Sequence, residues 1–536
     1  MVKKSFASLL SSLCLIAILS VNGLAQDSKW IGKIFMDKDG AIHTRNGKTI
    51  PYNKRKPSFT VLKVQGGKLW TGETWVNKKH VVSLEDAPAY YTTFLKTHPK
   101  SAWAYCQRGL TKYASGKFEQ ALQDYNAAIR VDPKHSRAYV FRANLWIAGR
   151  EYNEAIKDAS KAIQLDPLDS VASFQRGMAY YLKDDYDKAI KDLTTAILLD
   201  SKNHVAYLFR GMSWREKNNY KKAIDDFSES ARLNPSNPNI IFQRGMLRVQ
   251  LGKFDEAIKD YTLAIKLKPK DPLYYTSRGM AWYEKEEFDK AIKDFNEAIR
   301  LNPREIHAYR MRGIIWALKN QYDKAVNDFS KLIQIDPTNA SYYKNRGTAW
   351  HSKGNLAKAI LDYNKAIRLN LNSSEVYKSR GDAWRETKRY DRAIQDYNEA
   401  IRLEKNNFLA YLYRGYCRFK KKEYRTAIKD YKESIRANPT APAGYSFLAI
   451  VLATCPDAKI RDGSLAVKYA TQACKLTNWK DSYVIGLLAA AYAEKGDFKE
   501  AVKWQLKALE LAPESEKKDY RSKLELYQSG KPYREG

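Results

Sequence analysis

Residues 272–305 of this 536-residue chain read PLYYTSRGMAWYEKEEFDKAIKDFNEAIRLNPRE, and the same pattern returns every 34 residues. Each of ten copies holds an arginine followed sixteen residues later by an aspartate. The arginines are Arg108, Arg142, Arg176, Arg210, Arg244, Arg278, Arg312, Arg346, Arg380 and Arg414, and the aspartates are Asp124, Asp158, Asp192, Asp226, Asp260, Asp294, Asp328, Asp362, Asp396 and Asp430. A fixed period of this length is typical of stacked supersecondary units, none of which buries its apolar face alone. We therefore expect function to lie in a surface, not in a catalytic pocket.

Small and bulky residues also recur at fixed places in each copy, numbered here so that Pro133 is position 32 of the first. Glycine or alanine occupies position 8, alanine position 20, an aromatic or other bulky residue usually position 24, and proline often position 32. In the sixth copy, with the alanine of position 27, these are Gly279, Ala291, Phe295, Ala298 and Pro303. Small residues let two helices cross closely, and proline ends the second helix. Each copy is therefore predicted to be a helical hairpin.

These positions closely resemble the tetratricopeptide repeat (TPR) family over residues 87–513. The resemblance implies a mainly α fold, with an α-solenoid of about twelve TPR helix pairs at residues 102–513. We expect a lone linking helix at residues 85–101, and a capping helix with a short tail at residues 514–536. The capping helix would place Tyr520, Leu524 and Tyr527 on one stripe.

Arginine at position 7 departs from the family, which usually has leucine there. Positions 7 and 23 lie equally far from the hairpin turn, so arginine and aspartate can meet across the helix pair. Both are replaced together in the last two repeats, by Leu448 with Tyr469 and by Leu488 with Trp504. We therefore predict a structural ladder of partly buried, bidentate ion pairs, including Arg244, Asp260, Arg278 and Asp294. Pairing within a repeat and pairing between neighbours both remain open.

The chain begins with the features of a secretory signal peptide at residues 1–25. Lys3 and Lys4 precede an apolar run at residues 9–21, and Gly23-Leu24-Ala25 places small residues at a cleavage site. A membrane anchor is the alternative, but the run is short for spanning a bilayer. We expect an exported protein, periplasmic, secreted or cell-envelope associated, with no transmembrane segment in the mature chain.

Residues 28–84 differ in composition from the repeats. Alternating segments at residues 30–35, 59–64, 68–70 and 74–84 are separated by the turn dipeptides Asp39-Gly40, Asn46-Gly47 and Gly66-Gly67. The pattern predicts a small antiparallel β-barrel, and the stretch from Gly66 to Val82 resembles bacterial SH3-like domains. This domain either binds a ligand or only positions the array.

Four cysteines follow the predicted signal peptide: Cys106, Cys417, Cys455 and Cys474. An oxidising compartment would permit a disulfide between the last two. However, they end two successive antiparallel helices and would lie about 18 Å apart, so a bridge is disfavoured.

The first helix of each repeat carries two stripes. Positions 4, 7, 8 and 11 form the packed one, which makes the recurrent tryptophans at position 11 core residues. Positions 2, 5, 9 and 12 form the other, which the family resemblance places on a concave face that holds extended peptides. Methionines and aromatic residues on this stripe suit adaptable binding, although such residues are often core. The predicted apolar groove residues are Phe174, Met178, Leu208, Met212, Phe242, Met246, Met280 and Tyr283.

The same stripe then becomes basic at Arg310, Lys344 and Lys378, although Glu375 and Asp382 share the surface. Lysine at position 5 resembles the carboxylate clamp of chaperone-binding TPR domains. The asparagine that such clamps place at position 9 is replaced by Ile314, Thr348 and Asp382. A matching clamp is therefore doubtful, and a general site for an acidic segment is predicted alongside the alternative of a solvated charged face.

The chain has 93 basic and 60 acidic residues. Export argues against nucleic acid as the partner of this charge, and anionic envelope polymer remains an alternative. None of the common phosphate-binding, nucleophile-elbow, zinc-protease or Cys-x-x-Cys motifs occurs, so no enzyme activity, cofactor or metal is predicted. The leading hypothesis is an exported scaffold that holds a peptide or protein segment. The alternative is an envelope-associated protein that binds anionic polymer through its basic surface.

Overall fold

The computed structural model describes residues 34–37, 43–45, 48–49, 58–60, 63–65, 68–70, 75–77, 81–83 and 85–534. The predicted signal peptide, residues 1–25, lies outside these residues. The chain divides into two compact units, residues 1–270 and residues 271–536. Within the described residues, no helix combines the length and apolar character needed to cross a membrane.

The described residues include eight short strands before the helices. They are β1 Ile34–Asp37, β2 His43–Arg45, β3 Lys48–Thr49, β4 Ser58–Thr60, β5 Lys63–Gln65, β6 Lys68–Trp70, β7 Trp75–Asn77 and β8 Val81–Ser83. All pairings are antiparallel, in two sheets of strand order β4-β1-β8 and β3-β2-β7-β6-β5. Arg45 pairs with Lys48 and Gln65 with Lys68. The predicted turn dipeptides Asn46-Gly47 and Gly66-Gly67 lie between these paired residues in the sequence and outside the described residues.

The predicted barrel is not confirmed. Over the described residues, β1 pairs only with β4 and β8, so the two sheets share no strand and do not close on each other. Strands of two to four residues offer few ladder bonds for such closure. The antiparallel pairing was predicted correctly, and the SH3-like resemblance stays a hypothesis.

Eleven helices follow among the residues that the structure describes in the first unit. They are α1 Ala87–Thr97, α2 Ala102–Ala114, α3 Phe118–Val131, α4 Ser136–Ala148, α5 Tyr152–Leu165, α6 Ser170–Leu182, α7 Tyr186–Leu199, α8 His204–Glu216, α9 Tyr220–Leu233, α10 Pro238–Gln250 and α11 Phe254–Leu267. The lone helix α1 lies within the segment predicted to link the sheets to the array. Its Ala87 and Tyr91 pack with Met36 and Val82 of the strands.

Fifteen helices form the described part of the second unit. They are α12 Pro272–Glu284, α13 Phe288–Leu301, α14 Ile306–Leu318, α15 Tyr322–Ile335, α16 Ala340–Ser352, α17 Leu356–Arg368, α18 Ser374–Glu386, α19 Tyr390–Leu403, α20 Phe408–Lys420, α21 Tyr424–Ala437, α22 Pro442–Thr454, α23 Gly463–Leu476, α24 Ser482–Lys495, α25 Phe498–Leu511 and α26 Lys517–Gln528. Within each unit, every first helix packs on its hairpin partner, and the partner packs on the next first helix. The predicted helical hairpins are therefore confirmed.

The hairpin turns depend on a left-handed residue at position 15. The residues with positive φ at this position are Gly116, Arg150, Asp184, Asn218, Gly252, Glu286, Asn320, Gly354, Lys388 and Lys422. Glycine, asparagine and aspartate adopt this conformation most readily, because other residues bring Cβ close to the carbonyl oxygen. At the other end of the repeat, side chains such as those of Asn203 and Asn407 accept from the backbone of the next first helix. The left-handed residue and the side-chain cap recur at fixed spacing, and this keeps the repeats in register.

Close helix crossing within each hairpin depends on position 8. A Cβ added at Gly279 would lie 2.7 Å from Cε1 of Phe295, the buried ring at position 24 of the same repeat. The second repeat has Ala143 at position 8, and there position 24 is the small Ala159. A methyl group at position 8 and an aromatic ring at position 24 would therefore occupy the same space, and a repeat has room for only one of them.

The end of the array closes as predicted. The capping helix α26 buries Tyr520, Leu524 and Tyr527. Cys106, Cys417, Cys455 and Cys474 are free and buried. Burial raises the pKa of Cys417 and of Cys474 to about 12, which leaves these thiols protonated and unreactive.

The segment after α26 folds back onto the last repeats. Arg534 Nη2 lies 2.5 Å from Oε2 of Glu494, and Arg461 Nε lies 2.9 Å from Oε1 of the same carboxylate. Arg461 also donates to the carbonyl oxygens of Cys455 and Pro456. Glu494 thus holds together the inserted loop of the eleventh repeat, the end of α24 and the tail.

Arg534→Ala is expected to destabilise the end of the array by about 1 kcal/mol, since the pair is partly solvated and Arg461 still neutralises Glu494. Faster amide hydrogen exchange should appear at residues 456–462 and at the end of α24. Lys531→Ala, which removes an exposed charge from the same tail, is the control. Equal exchange in both variants would show that the tail is not held by this contact.

Candidate functional site

All ten predicted ion pairs are present, and each joins the arginine and the aspartate of one repeat. Arg244 Nε donates to Oδ2 of Asp260 at 3.0 Å, and its Nη2 donates to Oδ1 at 2.6 Å. The equivalent pairs, including Arg278 with Asp294, have matching geometry. The aspartate side chains are 3–9% exposed and the arginine side chains 15–25%. The open question is thereby answered: the ion pair lies within the repeat.

The same arginines also reach the preceding repeat, which sequence reasoning missed. Arg244 Nη1 donates to Oγ of Ser228, sixteen residues earlier, at 3.2 Å. The other acceptors are Thr92, Asn126, Ser160 and Thr194 in the first unit, and Asn296, Ser330, Asn364 and Asn398 in the second. A short polar residue at position 25 was the available signal. Arginine is required because lysine lacks the planar fork that serves two repeats at once.

Burial opposes ionisation in this ladder. It raises the pKa of Asp226, Asp328 and Asp396, while the hydrogen bonds from their arginines act in the opposite direction. Tyrosine rings at position 4 lie beside the guanidinium groups, as Tyr275 does beside Arg278 at 5.8 Å. Since their hydrogen-bonding groups are already engaged, these side chains serve the stack and not a ligand.

The tryptophans of position 11 lie against the core, as predicted. They are Trp146, Trp214, Trp282, Trp316, Trp350 and Trp384, each half-buried against a hydrophobic cluster. A cation of position 19 covers the ring in five of these repeats, as Lys290 does at 4.6 Å from the Trp282 centroid. Five of the six rings are therefore packed on one side and covered by a cation on the other.

Four predicted groove residues do not form an open surface. Phe174, Met178, Met212 and Phe242 are each 8% exposed or less. The reason is that successive first helices touch: Phe174 on α6 packs against Phe209 on α8, with ring centroids 6.1 Å apart. These four residues are therefore core residues, which is the alternative given in the sequence analysis. Leu208 and Met246 in the same unit remain partly exposed.

The second unit presents a more open apolar surface. On α12, Leu273 is 50% exposed and Met280 is 40% exposed, with Tyr283 partly exposed beside them. The next first helix, α14, contacts α12 and carries Arg310 and Ile314, both partly exposed. We call Leu273, Met280, Tyr283, Arg310 and Ile314 the α12–α14 face.

The three predicted basic residues differ in their partners. Lys344 Nζ lies 3.0 Å from both carboxylate oxygens of Glu375, and Lys378 Nζ lies 2.8 Å from Oδ2 of Asp382. Arg310 forms no ion pair with any residue that the structure describes. Burial raises the pKa of the Tyr342 hydroxyl, and the nearby charge of Arg310 opposes that rise. The basic stretch is therefore largely neutralised internally, and Arg310 is its open cation.

Family comparison identifies the repeats. Family models described as "Tetratricopeptide repeat" match residues 106–170, 174–238, 242–306 and 483–515. A family model described as "TPR repeat" matches residues 315–354 and 381–422. Together the matches cover more than half of the chain. The chain belongs to the tetratricopeptide repeat family. A search of curated proteins finds no match.

Solved TPR structures resemble parts of the chain. The yeast Tom70 structure is 19% identical, with 80% of this chain and 96% of that chain covered and a TM-score of 0.34. YrrB, described as a TPR protein with an unusual peptide-binding site, is 23% identical, with 34% and 95% covered and a TM-score of 0.32. The C-terminal part of a TPR protein from Cytophaga hutchinsonii is 17% identical, with 44% and 97% covered and a TM-score of 0.41. At these identities the similarity extends to the fold alone.

Two features distinguish this TPR chain from the family pattern. The arginine ladder replaces an apolar contact by a hydrogen-bonded one in ten consecutive repeats. The clamp asparagine at position 9 is absent from the basic repeats, and Asp382 there is instead buried, accepting from the Tyr397 hydroxyl at 2.7 Å. The TPR fold is typical of protein-binding scaffolds, and the α12–α14 face is its best candidate for a binding surface in this chain.

Proposed function

We propose that this chain is an exported scaffold that holds a peptide or protein segment on the first-helix face of its TPR array. The observation that carries the proposal is the α12–α14 face, where exposed Leu273 and Met280 adjoin Arg310. Clustered apolar side chains in water are a recurrent feature of binding surfaces, and methionine adapts to varied partners. An open cation beside them adds a fixed point for an acidic group.

The proposed partner is an extended segment with an apolar side chain and a nearby acidic residue. Met280 is 40% exposed, so burial of its remaining exposed surface would contribute about 1 kcal/mol. Arg310 would act chiefly on the association rate and on the choice of partner, because an exposed charge attracts over a distance and is screened by salt. Export is supported by Lys3, Lys4 and the apolar run at residues 9–21.

The test is selection of peptides from a random displayed library on the chain without residues 1–25. We expect selected peptides to combine an apolar and an acidic residue. Met280→Asp should weaken binding of such a peptide about tenfold or more at every salt concentration, because it removes apolar contact and adds a desolvation cost. Arg310→Glu should slow association and flatten the salt dependence.

Matched controls lie on second helices of the same unit. Leu361→Asp places a charge at a leucine that is 65% exposed, and Lys331→Glu reverses an exposed charge. Fluorescence anisotropy and stopped-flow rates with the synthetic peptide give affinity and association rate. If the controls weaken binding as much as Met280→Asp and Arg310→Glu do, the α12–α14 face is not the binding surface.

A further inference from the structure

A basic cluster lies on the hairpin turns of the ninth and tenth repeats, away from the α12–α14 face. Its cations are Lys388, Arg389 and Arg392 in the ninth repeat and Lys420, Lys421, Lys422 and Arg425 in the tenth, all exposed. We call these seven residues the basic edge. They belong to positions 13–19 of the repeat, whereas the α12–α14 face belongs to positions 2, 5, 9 and 12.

One ion-pair network joins the two turns. Lys421 Nζ lies 2.6 Å from Oδ1 of Asp391 in the preceding repeat and 2.9 Å from Oε1 of Glu423 in its own turn. The remaining acid of the ninth turn, Glu386, is held by Arg385 and His351. The three acidic residues of the two turns, Asp391, Glu423 and Glu386, are thus already paired with Lys421, Arg385 and His351.

Four cations of the edge keep their charge open to solvent. Lys388, Arg389, Lys422 and Arg425 form no ion pair within the described part of the chain. The equivalent turn of the sixth repeat, residues 284–290, has four acidic residues against two basic ones. The charge of the hairpin turn therefore varies along the array, and the turn of the tenth repeat, residues 420–426, with four basic residues and one acidic residue, is the most basic of the ten.

Two of these lysines occupy strained backbone positions. Lys388 and Lys422 have φ of 59° and 65° at position 15, where glycine, asparagine or aspartate stands in six of the ten repeats. A left-handed conformation costs such a side chain about 1 kcal/mol. Arg150 and Glu286 adopt the same conformation in other turns, so the strain by itself does not distinguish the basic edge.

We propose that the basic edge binds a linear polymer with repeating anionic groups. Neighbouring repeats place their turns roughly 10 Å apart, so one extended polymer can contact both turns. The edge offers no exposed large apolar side chain to insert into a membrane: Phe419 is 9% exposed, and Tyr390 and Tyr424 are half-buried. Exposed lysine and arginine side chains bind a polyanion by displacing its counterions, and such binding needs no pocket.

The first test uses fluorescently labelled inorganic polyphosphate and the chain without residues 1–25, titrated at increasing salt. Replacing Lys388, Arg389, Lys422 and Arg425 together by glutamine should weaken binding at least tenfold at low salt. It should also reduce the slope of log affinity against log salt by about three or four, since each lost contact removes about one released ion. Lys421 stays, which preserves its ion pair with Asp391 between the turns, and Arg392 stays over the Trp384 ring.

The control removes the same charge elsewhere in this unit, with Lys293, Lys331, Arg368 and Lys405 changed to glutamine. All four are exposed and lie outside the basic edge. The control should weaken binding less than about threefold. Equal losses in the two quadruple variants would overturn the proposal, because net charge alone would then explain binding. Tighter binding to phosphatidylglycerol vesicles than to polyphosphate would overturn it in favour of a membrane surface.

A second variant separates binding from folding. Lys388→Gly with Lys422→Gly removes two charges and places glycine where φ is positive, so thermal stability should stay equal or rise. Polyphosphate affinity should nevertheless fall several-fold. A variant that is as stable as the parent and binds polyphosphate as tightly would show that these lysines serve the turn only.

Discussion

Asp260→Ala is expected to destabilise the chain by about 3–5 kcal/mol, because it leaves partly buried cations without their carboxylate. Asp260 accepts two bonds from Arg244, and its Oδ2 also lies 2.7 Å from Nη1 of Arg248. Arg244 in addition donates to Ser228 of the preceding repeat. Loss of the carboxylate therefore disturbs two repeats, and neighbouring repeats should loosen while distant ones keep their helices.

Urea unfolding followed by circular dichroism, with hydrogen exchange at α9 to α11, measures this effect. Asp225→Ala, which removes an exposed carboxylate next to the buried Asp226, is the control and should change stability by less than about 0.5 kcal/mol. A loss of the same small size for Asp260→Ala would contradict the buried pair.

A paired replacement tests the physical reason. Arg346→Leu with Asp362→Tyr copies the solution of the eleventh repeat, where Leu448 is buried and Tyr469 packs against the same core. It should cost less than Asp362→Ala alone, because an apolar pair needs no compensation for desolvated charge. A larger cost for the double variant would show that the third hydrogen bond to Ser330 matters more than the charge.

Phe295→Ala is the second variant with a large expected effect, a loss of about 3–5 kcal/mol. The ring is fully buried between the helices of the sixth repeat, and it occupies the space next to Gly279. Gly279→Ala alone should cost about 1–3 kcal/mol through overpacking, reduced by the higher helix propensity of alanine.

Gly279→Ala should destabilise the parent protein but stabilise the Phe295→Ala variant. In the Phe295→Ala background the Gly279→Ala methyl group fills part of the cavity, as Ala143 and Ala159 pack in the second repeat, so stability should rise. Urea unfolding of the four proteins gives the coupling energy, expected to exceed about 1 kcal/mol. Additivity within about 0.5 kcal/mol would mean that ring and methyl group do not compete for one space.

Much of the architecture follows from the sequence because its causes are local or periodic. The spacing of Gly279, Ala291 and Phe295 predicts the hairpin, since helix crossing depends on side-chain size at fixed positions. Arginine and aspartate sixteen residues apart predict the ladder, and their joint loss at Leu448 and Tyr469 identifies them as partners. These relations repeat ten times in one chain, so each repeat supports the interpretation of the others.

Only the tertiary structure decided what lies between repeats. A stripe on one helix does not reveal what the next helix covers, so Met178 and Met280 are equivalent by position although one is 1% exposed and the other 40%. Likewise, Arg310 and Lys344 are equivalent in sequence, yet Glu375 from the following repeat neutralises only Lys344. Burial and ion pairing depend on distances between residues far apart in sequence, which periodicity within one helix does not specify.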